Sequence, residues 1–342
     1  MKTVALVESP AQLLNVVEWA YRFGAQPSVL VLAPTNETSR WQLRAMAELA
    51  RGNGLTVTWH EPRSGGAAIA RTVRALAGDL TGAERLVLGD PFSGVMQVVV
   101  SLAKPSEVVF VDDGTATMEF ARQWVSGEHL RRWHQVATAE QQRHIARFAR
   151  NQIADSLRRR LEPGSGCRLT VFSCLPVEFP RARVVANTYE WLRSHHPRPV
   201  IKPGADLVGT SLVETGVVAE ADYVAAVASL AVQHRADRYF AHRKESTAKL
   251  ARITALGLRV EVPNLPLELV LRADQVGRVV VSFPSTVVHT LPLVLADTAV
   301  ELLVCDIDPT WYTPDTGAHS RSFLGTVTRA ARQQHGLASA AC

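Results

Sequence analysis

Short apolar runs alternate with longer amphipathic stretches along the first third of the chain. The stretches between the runs carry apolar residues at helical spacing, for example Leu13, Val16, Val17 and Ala20. The runs occupy residues 4–7, 29–32, 55–59, 86–88 and 108–111. Short strands that alternate with helices form β-α-β units, so the pattern predicts an open α/β domain around a buried parallel sheet. The 55–59 run alternates with threonine and predicts an edge strand.

The same rhythm returns in the second half of the chain. Apolar runs occur at residues 207–209, 238–241, 259–262, 279–282 and 302–305, again with helix-like stretches between them. Before them stand Pro197, Pro199 and Pro203, which are typical of a linker. We therefore expect an N-terminal Rossmann-like domain at 1–200, a linker at about 195–205 and a C-terminal Rossmann-like domain at 206–342. The last helix of the chain is a candidate to pack back on the first domain.

Length and composition agree with two folded domains. The chain has 342 residues, about twice a typical domain of roughly 150. Its hydrophobic content of 47% is enough for two cores and excludes an intrinsically disordered chain. The net charge is +5, and all but five of the 37 basic residues are arginine. Arginine pairs well with phosphate and carboxylate, so anionic ligands fit this composition, although codon preference in a GC-rich genome explains it equally well.

A segment at about 137–161 is rich in arginine. Its apolar residues keep a helical period, which favours a helix whose arginines form a solvated face. The alternative is a docking surface for anionic lipid or for a polyanionic acceptor, and the lipid would make the protein peripheral on the inner face of the cell membrane. Aromatic residues are not interleaved with the arginines, which argues against a nucleic-acid partner.

Neither the beginning of the chain nor its cysteines indicate export. The opening residues carry no signal-peptide pattern, and no apolar run is long enough to span a bilayer. The four cysteines form no CxxC pair and no zinc pattern, so we interpret them as incidental in a reducing compartment. We expect a cytoplasmic protein.

Open α/β sheets bind ligands at the carboxyl ends of their strands, so two such domains predict a crevice between them. No GxGxxG or GxxxxGK[ST] motif stands after a strand, which gives no support to a dinucleotide fingerprint or a P-loop. After the 108–111 run come Asp112, Asp113 and Gly114. Repulsion between adjacent carboxylates raises the pKa of one of them, which suits a general base. Which aspartate is the base stays open.

In the second domain, polar residues follow three strands. His242, Arg243 and Lys244 come after the 238–241 run, where an imidazole and two cations at a helix start suit phosphate. Ser285 and Thr286 follow the 279–282 run and offer two hydroxyls. All of these residues also have ordinary structural interpretations, such as a helix cap or a surface charge cluster.

Glu268 stands at another helix start, where a carboxylate can bind a ribose diol or complement the helix dipole. Because His242, Glu268 and Ser285 each follow a strand of one domain, we expect all three along one rim. A second histidine motif, His196-Pro197, follows a helix-like stretch and has no acid or hydroxyl pair at a matching distance, so it is the weaker candidate.

The order of these motifs resembles that of bacterial sialyltransferases and polysialyltransferases of GT-B type. The opening segment 7–14 (VESPAQLL), the segment 209–212 (GTSL) and the segment 262–268 (VPNLPLE) are also similar to that family. The resemblance runs from about residue 4 to 308 and is closest to the polysialyltransferase-like branch.

The resemblance implies a role for each matching residue. Asp112 or Asp113 would be the general base, and His242 would contact the phosphate of a CMP-sugar donor. The remaining donor-binding residues would be Arg243, Lys244, Glu268, Ser285, Thr286, Gly209 and Thr210. Acceptor contacts would come from the first domain, from Ser9, Gln12 and Asp90. One departure is Arg243, which stands where the family has proline.

The implied activity is an inverting, metal-independent transfer of sialic acid, or a related nonulosonic acid, from a CMP donor to a glycan such as a capsule or surface polysaccharide. Protonated His242 and the hydroxyls would stabilise the departing CMP. No cofactor or metal is implied, and Asp306-Ile307-Asp308 is interpreted as structural rather than as a metal motif. Two alternatives stay open. One is a GT-B enzyme with a UDP- or GDP-sugar, including a sugar-nucleotide epimerase, and the other is a non-catalytic protein that binds a nucleotide or glycan.

Overall fold

The computed structural model describes residues 1–61, 68–130, 144–162 and 164–341, without the side chains of 144–150. The chain divides into two compact units, Met1–Asn187 and Thr188–Cys342. Each unit is an α/β domain around its own parallel sheet.

The first domain contains a seven-stranded sheet with the strand order β3-β2-β1-β4-β5-β6-β7, and every pair is parallel. The strands are β1 (Thr3–Val7), β2 (Ser28–Leu32), β3 (Thr56–His60), β4 (Arg85–Leu88), β5 (Glu107–Val111), β6 (Arg168–Ser173) and β7 (Arg183–Ala186). The helices are α1 (Pro10–Phe23), α2 (Glu37–Gly52), α3 (Ala68–Leu80), α4 (Gly94–Ala103), α5 (Ala116–Ser126) and α6 (His144–Leu161). The order of the first six strands is that of a doubly wound Rossmann sheet. Because its central strands are apolar throughout, the sheet is buried on both faces.

The second domain repeats this plan with six parallel strands in the order β10-β9-β8-β11-β12-β13. The strands are β8 (Val200–Val208), β9 (Ala236–Phe240), β10 (Arg259–Glu261), β11 (Gln275–Ser282), β12 (Glu301–Cys305) and β13 (Ala338–Ala340). The helices are α7 (Glu190–His195), α8 (Glu220–His234), α9 (Thr247–Ala255), α10 (Leu267–Ala273), α11 (Val287–Val294) and α12 (Ala318–His335). The predicted GT-B class, two Rossmann-like domains in one chain, is confirmed.

A buried ion pair joins the three central strands of the second sheet. Both carboxylate oxygens of Asp206 on β8 accept hydrogen bonds from the guanidinium of Arg238 on β9, at 2.9 and 2.6 Å. The amide of Gly277 on β11 donates to the same carboxylate at 2.6 Å. Asp206 is fully buried and Arg238 nearly so. The register of β8 shifts at Asp206 and that of β11 at Gly277, so the pair stabilises the sheet where its regular ladder is interrupted.

The domain boundary lies earlier than the sequence suggests. The expected linker at 195–205 is wrong, because most of it belongs to β8, and residue 195 ends α7. Arg272 on α10 donates to the carbonyl oxygens of Arg193 and His196, so α7 belongs to the second domain. The prolines that suggested a linker stand before β8 and next to its irregularity, two places where a strand tolerates proline.

The ten predicted strands are all present, and β3 lies at the edge of its sheet as expected. Strands β6, β7 and β13 were not predicted. Helix α6 begins at residue 144, and the earlier part of the predicted 137–161 helix lies outside the described residues. Ala154, Leu157 and Leu161 are buried in the first core, in agreement with a helix whose other face is solvated. Arg158 donates to main-chain oxygens at the end of α5 and just after it, so this arginine packs on its own domain.

Across the described ranges, no helix combines the length and the apolarity that a membrane crossing requires. Association of α6 with a membrane surface stays a prediction. Helix α12 packs against α11 within the second domain. The interpretation of the cysteines as incidental is wrong for Cys305, which is disulfide-bonded, whereas Cys167 and Cys174 are free thiols.

We expect Asp206→Ala to destabilise the second domain by about 3 to 5 kcal/mol, because it leaves the Arg238 guanidinium buried without its carboxylate. Urea unfolding followed by circular dichroism measures the change. The matched control is Asp237→Ala, because the Asp237 carboxylate forms an ion pair with Lys202 but is largely exposed. The control should cost less than about 1 kcal/mol, and equal costs for the two variants would contradict the structural role of the buried pair.

Candidate functional site

Each sheet has a switch point, where successive strands begin to be added on the opposite side of the first strand. It lies between β1 and β4 in the first sheet and between β8 and β11 in the second. Doubly wound sheets bind ligands outside the carboxyl ends of their strands at this point. The predicted site residues follow β1, β4 and β5 in the first domain and β8, β9, β10 and β11 in the second. Each domain therefore gathers its candidates along one edge of its own sheet.

The two adjacent aspartates after β5 have different surroundings. Asp112 is 1% exposed. Its carboxylate accepts hydrogen bonds from Ser173 Oγ at 2.6 Å and from the Cys174 amide at 2.7 Å, which tie the end of β5 to the end of β6. Burial raises the pKa of Asp112 to about 6, while these hydrogen bonds act in the opposite direction. The largest cause of the raised pKa is burial, whereas the sequence analysis expected repulsion between the two carboxylates.

Asp113 is the accessible member of the pair. It is half-buried, and its Oδ1 accepts a hydrogen bond from Gln12 Nε2 at 2.8 Å. The chain turns directly afterwards at Gly114, whose φ of 65° is the left-handed conformation that glycine adopts without strain. Because a general base must reach a proton on its substrate, Asp113 suits that role and Asp112 does not.

Gln12 connects the loops after β1, β4 and β5. Its Oε1 accepts a hydrogen bond from the Glu8 amide at 2.7 Å, while its Nε2 holds Asp113. The side chain lies directly over Gly89, where an added Cβ would be only 2.3 Å from Gln12 Oε1. The bare backbone of Gly89 therefore makes room for the amide that orients Asp113.

The three predicted acceptor-binding residues build this edge. Ser9 caps α1 because its hydroxyl oxygen accepts a hydrogen bond from the backbone amide of Gln12, and the Asp90 carboxylate accepts one from the backbone amide of Phe92. All three residues are at least nine-tenths buried. Their burial does not fit direct contact with an acceptor, so the expectation is corrected to a supporting role. The half-buried Glu8, which accepts from Ser93 Oγ at 2.8 Å, is a polar group of this edge that the sequence analysis missed.

In the second domain, the loop after β9 carries His242, Arg243 and Lys244. Nδ1 of His242 accepts a hydrogen bond from the Lys244 amide at 3.2 Å, so in the neutral ring the proton is on Nε2. Burial, followed by the charges of Arg243, Lys244 and Lys249, lowers the pKa of His242 to about 3. The expected protonated imidazole is therefore wrong, and His242 is a neutral hydrogen-bond donor at physiological pH.

Ser285 and Thr286 lie after β11, across β8 from the His242 loop in the strand order. Both are half-buried, and Thr286 immediately precedes α11. Ser285 Oγ is 3.4 Å from Ser282 Oγ. The loops after β9 and β11 thus place an imidazole N–H and two hydroxyls at strand ends on either side of β8.

Glu268 lies in the first turn of α10 and is 8% exposed. Its Oε1 accepts a hydrogen bond from Thr290 Oγ1 of α11 at 2.7 Å. The carboxylate therefore joins two neighbouring helices, and a part in ribose binding stays a prediction.

Gly209 and Thr210 follow β8 at the switch point itself. An added Cβ on Gly209 would be 2.4 Å from Tyr239 Oη and 2.6 Å from Glu245 Oε1. The Thr210 carbonyl oxygen accepts a hydrogen bond from Lys249 Nζ at 3.0 Å. The polar residues beneath this loop were missed by the sequence analysis, since a lysine and a glutamate four residues apart read as an exposed helical pair.

The two motifs judged unrelated to the site differ in position: His196-Pro197 lies at the opposite edge of the second sheet, whereas Asp306–Asp308 follows β12 at the same edge as the site. His196 follows α7 at the amino-terminal side of β8 and stacks edge-on with Trp191. Asp308 accepts from the Thr310 amide and hydroxyl, and Asp306 pairs with Arg332, so the Asp306–Asp308 motif is structural. Within the described residues, no three His, Cys, Asp or Glu side chains form a group that could hold a metal ion. Metal independence of the reaction stays a prediction.

Comparison with known proteins gives a fold and no family. No family model and no curated protein matches the sequence. Among solved structures, the chain is similar to a putative UDP-N-acetylglucosamine 2-epimerase from Listeria monocytogenes, with a TM-score of 0.52, 10% identity, and coverage of 89% of this chain and 78% of that one. This likeness concerns the fold.

Two weaker matches have TM-scores of 0.42. Alr3699/HepE from Anabaena in complex with UDP is 11% identical, over 98% of this chain and 91% of that one. UGT89C1 from Arabidopsis thaliana complexed with UDP is 13% identical, over 97% and 90%. Likenesses of this strength carry no argument about function.

We expect Gly89→Ala to destabilise the protein by about 1 to 3 kcal/mol, because its Cβ and Gln12 cannot occupy the same space. Urea unfolding of Gly89→Ala, Gln12→Ala and the double variant measures the coupling between the two sites. The double variant should lose less stability than the sum of the two single variants, because Gln12→Ala removes the clash. The control is Gly78→Ala, within α3, where nothing lies within 4 Å of the added Cβ and no loss of stability is expected. Additive costs in the double variant would contradict the packing of Gln12 over Gly89.

We expect the His242 ring to stay neutral, with its proton on Nε2, from pH 8 to pH 5. Long-range proton–nitrogen NMR correlations report the tautomer and the charge of each ring, and His242→Gln assigns the signal. Free imidazole measured over the same pH range serves as the reference. A His242 signal that titrates near pH 6.5 would contradict the effect of its burial.

Proposed function

We propose that this protein is a GT-B enzyme that uses a nucleotide-activated sugar. The observation that carries the proposal is the set of loops at the switch point of the second sheet. The Gly209–Thr210 backbone, neutral His242 and the hydroxyls of Ser285 and Thr286 follow neighbouring strands at one sheet edge. An imidazole N–H and hydroxyls can donate hydrogen bonds to phosphate oxygens, and this edge is where such a sheet binds nucleotides.

A nucleoside diphosphate sugar is the donor class that we place first. Arg243 and Lys244 put two cations on the loop that carries His242, and a diphosphate has the charge to use both. Because His242 is neutral, these two residues supply the positive charge of the loop. The fold shared with a putative UDP-N-acetylglucosamine 2-epimerase is compatible with a UDP-sugar.

Transfer from CMP-sialic acid, or from a CMP-linked relative, is the second candidate. It is favoured by the motif order of Asp112-Asp113-Gly114, His242, Glu268 and Ser285-Thr286, which resembles that of the polysialyltransferase-like enzymes. A CMP donor carries a single phosphate, and the sialic acid adds a carboxylate, so the same cations have an anionic partner in this case as well.

The proposed reaction is displacement at the anomeric carbon with inversion. Asp113 takes the proton from an acceptor hydroxyl, whose oxygen forms the new bond to the anomeric carbon. The bond between that carbon and the phosphate oxygen breaks, and its electron pair leaves with the nucleotide. The Nε2–H of His242, the two cations and the hydroxyls stabilise the negative charge that develops on the phosphate.

Thermal-shift measurements with CMP, UMP, UDP and GDP test the donor class. We expect UDP or GDP to stabilise the protein more than the monophosphates do, because Arg243 and Lys244 contact the second phosphate. A shift with CMP alone would move the assignment to the CMP-sugar donors. No shift with any of the four nucleotides would contradict the proposed function.

We expect Asp113→Asn to lower kcat by about 10²-fold or more and to leave the thermal shift with nucleotide unchanged, since the base acts on the acceptor. Turnover is measured as nucleotide release from the donor found by thermal shift, with and without EDTA. Asp79→Asn, an exposed aspartate on α3, is the matched control and should keep full activity. Full activity in Asp113→Asn would disprove the assignment of the base, and binding of intact donor without turnover by the wild type would indicate a non-catalytic binding protein.

A further inference from the structure

A buried polar ring lies beneath the loop after β8. We name it the Lys249 ring, and its members come from α8, β9, α9 and two loops. They are Thr210, Glu214, Tyr223, Tyr239, Glu245 and Lys249. None of these residues belongs to the motifs that the proposed function uses, apart from Thr210.

The hydrogen bonds of the ring converge on the Glu245 carboxylate, which accepts from a tyrosine on one side and from the lysine on the other. The Thr210 amide donates to Tyr223 Oη at 3.3 Å, and Tyr223 Oη lies 2.8 Å from Tyr239 Oη, which donates to Glu245 Oε1 at 2.7 Å. Since Tyr239 donates onward, Tyr223 is the donor between the two phenols. Lys249 Nζ lies 3.1 Å from Glu245 Oε1 and donates to the Thr210 carbonyl oxygen at 3.0 Å, which closes the ring. Both backbone polar groups of Thr210 are held.

The ring also fixes the loop after β9. Glu214 accepts from the Ser246 amide and from Lys249 Nζ, both at 3.0 Å. Ser246 follows Glu245 directly and caps α9. The loop after β8, with Gly209 and Thr210, and the loop after β9, with His242, are therefore tied through the same ammonium group.

Charges in this ring are buried without full compensation. The side chains of Lys249 and Glu245 have no exposed surface, and Glu245 Oε2 is buried without a hydrogen-bond partner. Lys249 faces two carboxylates, those of Glu245 and Glu214. Burial raises the pKa of Glu245 to about 7, against the lowering effect of Lys249 and Tyr239. Buried ion pairs are in general a poor source of stability, because desolvation of the charges offsets their attraction.

We infer that Glu245 and Lys249 are positioning residues, which hold the Gly209–Thr210 backbone and the His242 loop in the arrangement that binds the donor phosphate. The inference rests on the proposed function and adds to it two residues that contact no donor. Gly209 shows the tightness of this support, because its backbone lies against Tyr239 and Glu245 with no room for a side chain.

The groups that face Glu245 determine how the support depends on pH. They are Lys249 on α9, Tyr239 on β9, Tyr223 on α8, Glu214 after β8, and His242, Arg243 and Lys244 on its own loop. Above pH 7 the Glu245 carboxylate is ionised and binds Lys249. Below pH 7 it gains a proton, its attraction for Lys249 falls and the Thr210 carbonyl is held less firmly. Donor affinity should therefore rise with pH through neutrality.

The test compares the wild type with Glu245→Gln, which keeps the shape and the Oε1 acceptor but cannot ionise. Calorimetric titration with UDP and with CMP at pH 6 and pH 8.5 gives the affinities. Comparison of the two proteins at each pH cancels the titration of the nucleotide's own phosphate. We expect Glu245→Gln to bind more weakly at pH 8.5, and the ratio of wild-type to variant affinity to be about fivefold larger at pH 8.5 than at pH 6.

Matched variants separate positioning from general stability. Glu220→Gln removes an exposed ion pair with Arg252 in the same domain and should change neither affinity nor its pH dependence. Tyr239→Phe breaks the ring without removing a charged group and should weaken binding. Because it also removes a hydrogen bond that lowers the pKa of Glu245, the rise of affinity with pH should move to higher pH. If Glu245→Gln is folded and the ratio of wild-type to variant affinity is the same at pH 6 and pH 8.5, the inference is overturned while the proposed function stands. A wild type that binds none of CMP, UMP, UDP and GDP would overturn the proposed function and this inference together.

Discussion

Every strand pair in both sheets is parallel, and this constraint determines where chemistry can occur. In a parallel sheet all carboxyl ends lie at one edge, so residues far apart in sequence that each follow a strand are brought together. Glu8, Gly89 and Asp113 meet in the first domain for this reason, and Gln12 joins them. The repeated strand order gives the second domain the same geometry with different side chains, which are cations, hydroxyls and amides in place of carboxylates.

Burial, rather than residue type, decides which of these side chains can act. Asp112 and Asp113 are identical in sequence terms and adjacent, yet one is enclosed by Ser173 and Cys174 and the other is accessible. His242 shows the same effect in the opposite sense, because burial removes the charge that its position beside a phosphate site suggests. Positive charge in that loop therefore comes from Arg243 and Lys244.

The strands and the edge that carries the site were predictable from the sequence, because short apolar runs and the residues after them are local features. The supporting contacts were not. Nothing in the sequence around Gln12 indicates that its amide spans three loops, since its partners lie four residues away at Glu8 and about a hundred away at Asp113. Strand β8 was truncated in the prediction because Pro203 and Gly204 interrupt its apolar pattern, whereas the fold accommodates them beside the register shift at Asp206.

Two buried ionic groups in the second domain have the same structural role at different places. The Asp206–Arg238 pair lies where β8 and β11 leave their regular registers, and the Lys249 ring lies where the chain leaves β8. In both, charged side chains bind backbone groups that the sheet ladder leaves without partners, namely the Gly277 amide and the Thr210 carbonyl. Apolar side chains could fill these spaces but could not satisfy those groups. The irregular backbone at the switch point is therefore stabilised by buried charged groups. The positions of these groups identify the loops whose backbone is fixed by side-chain hydrogen bonds.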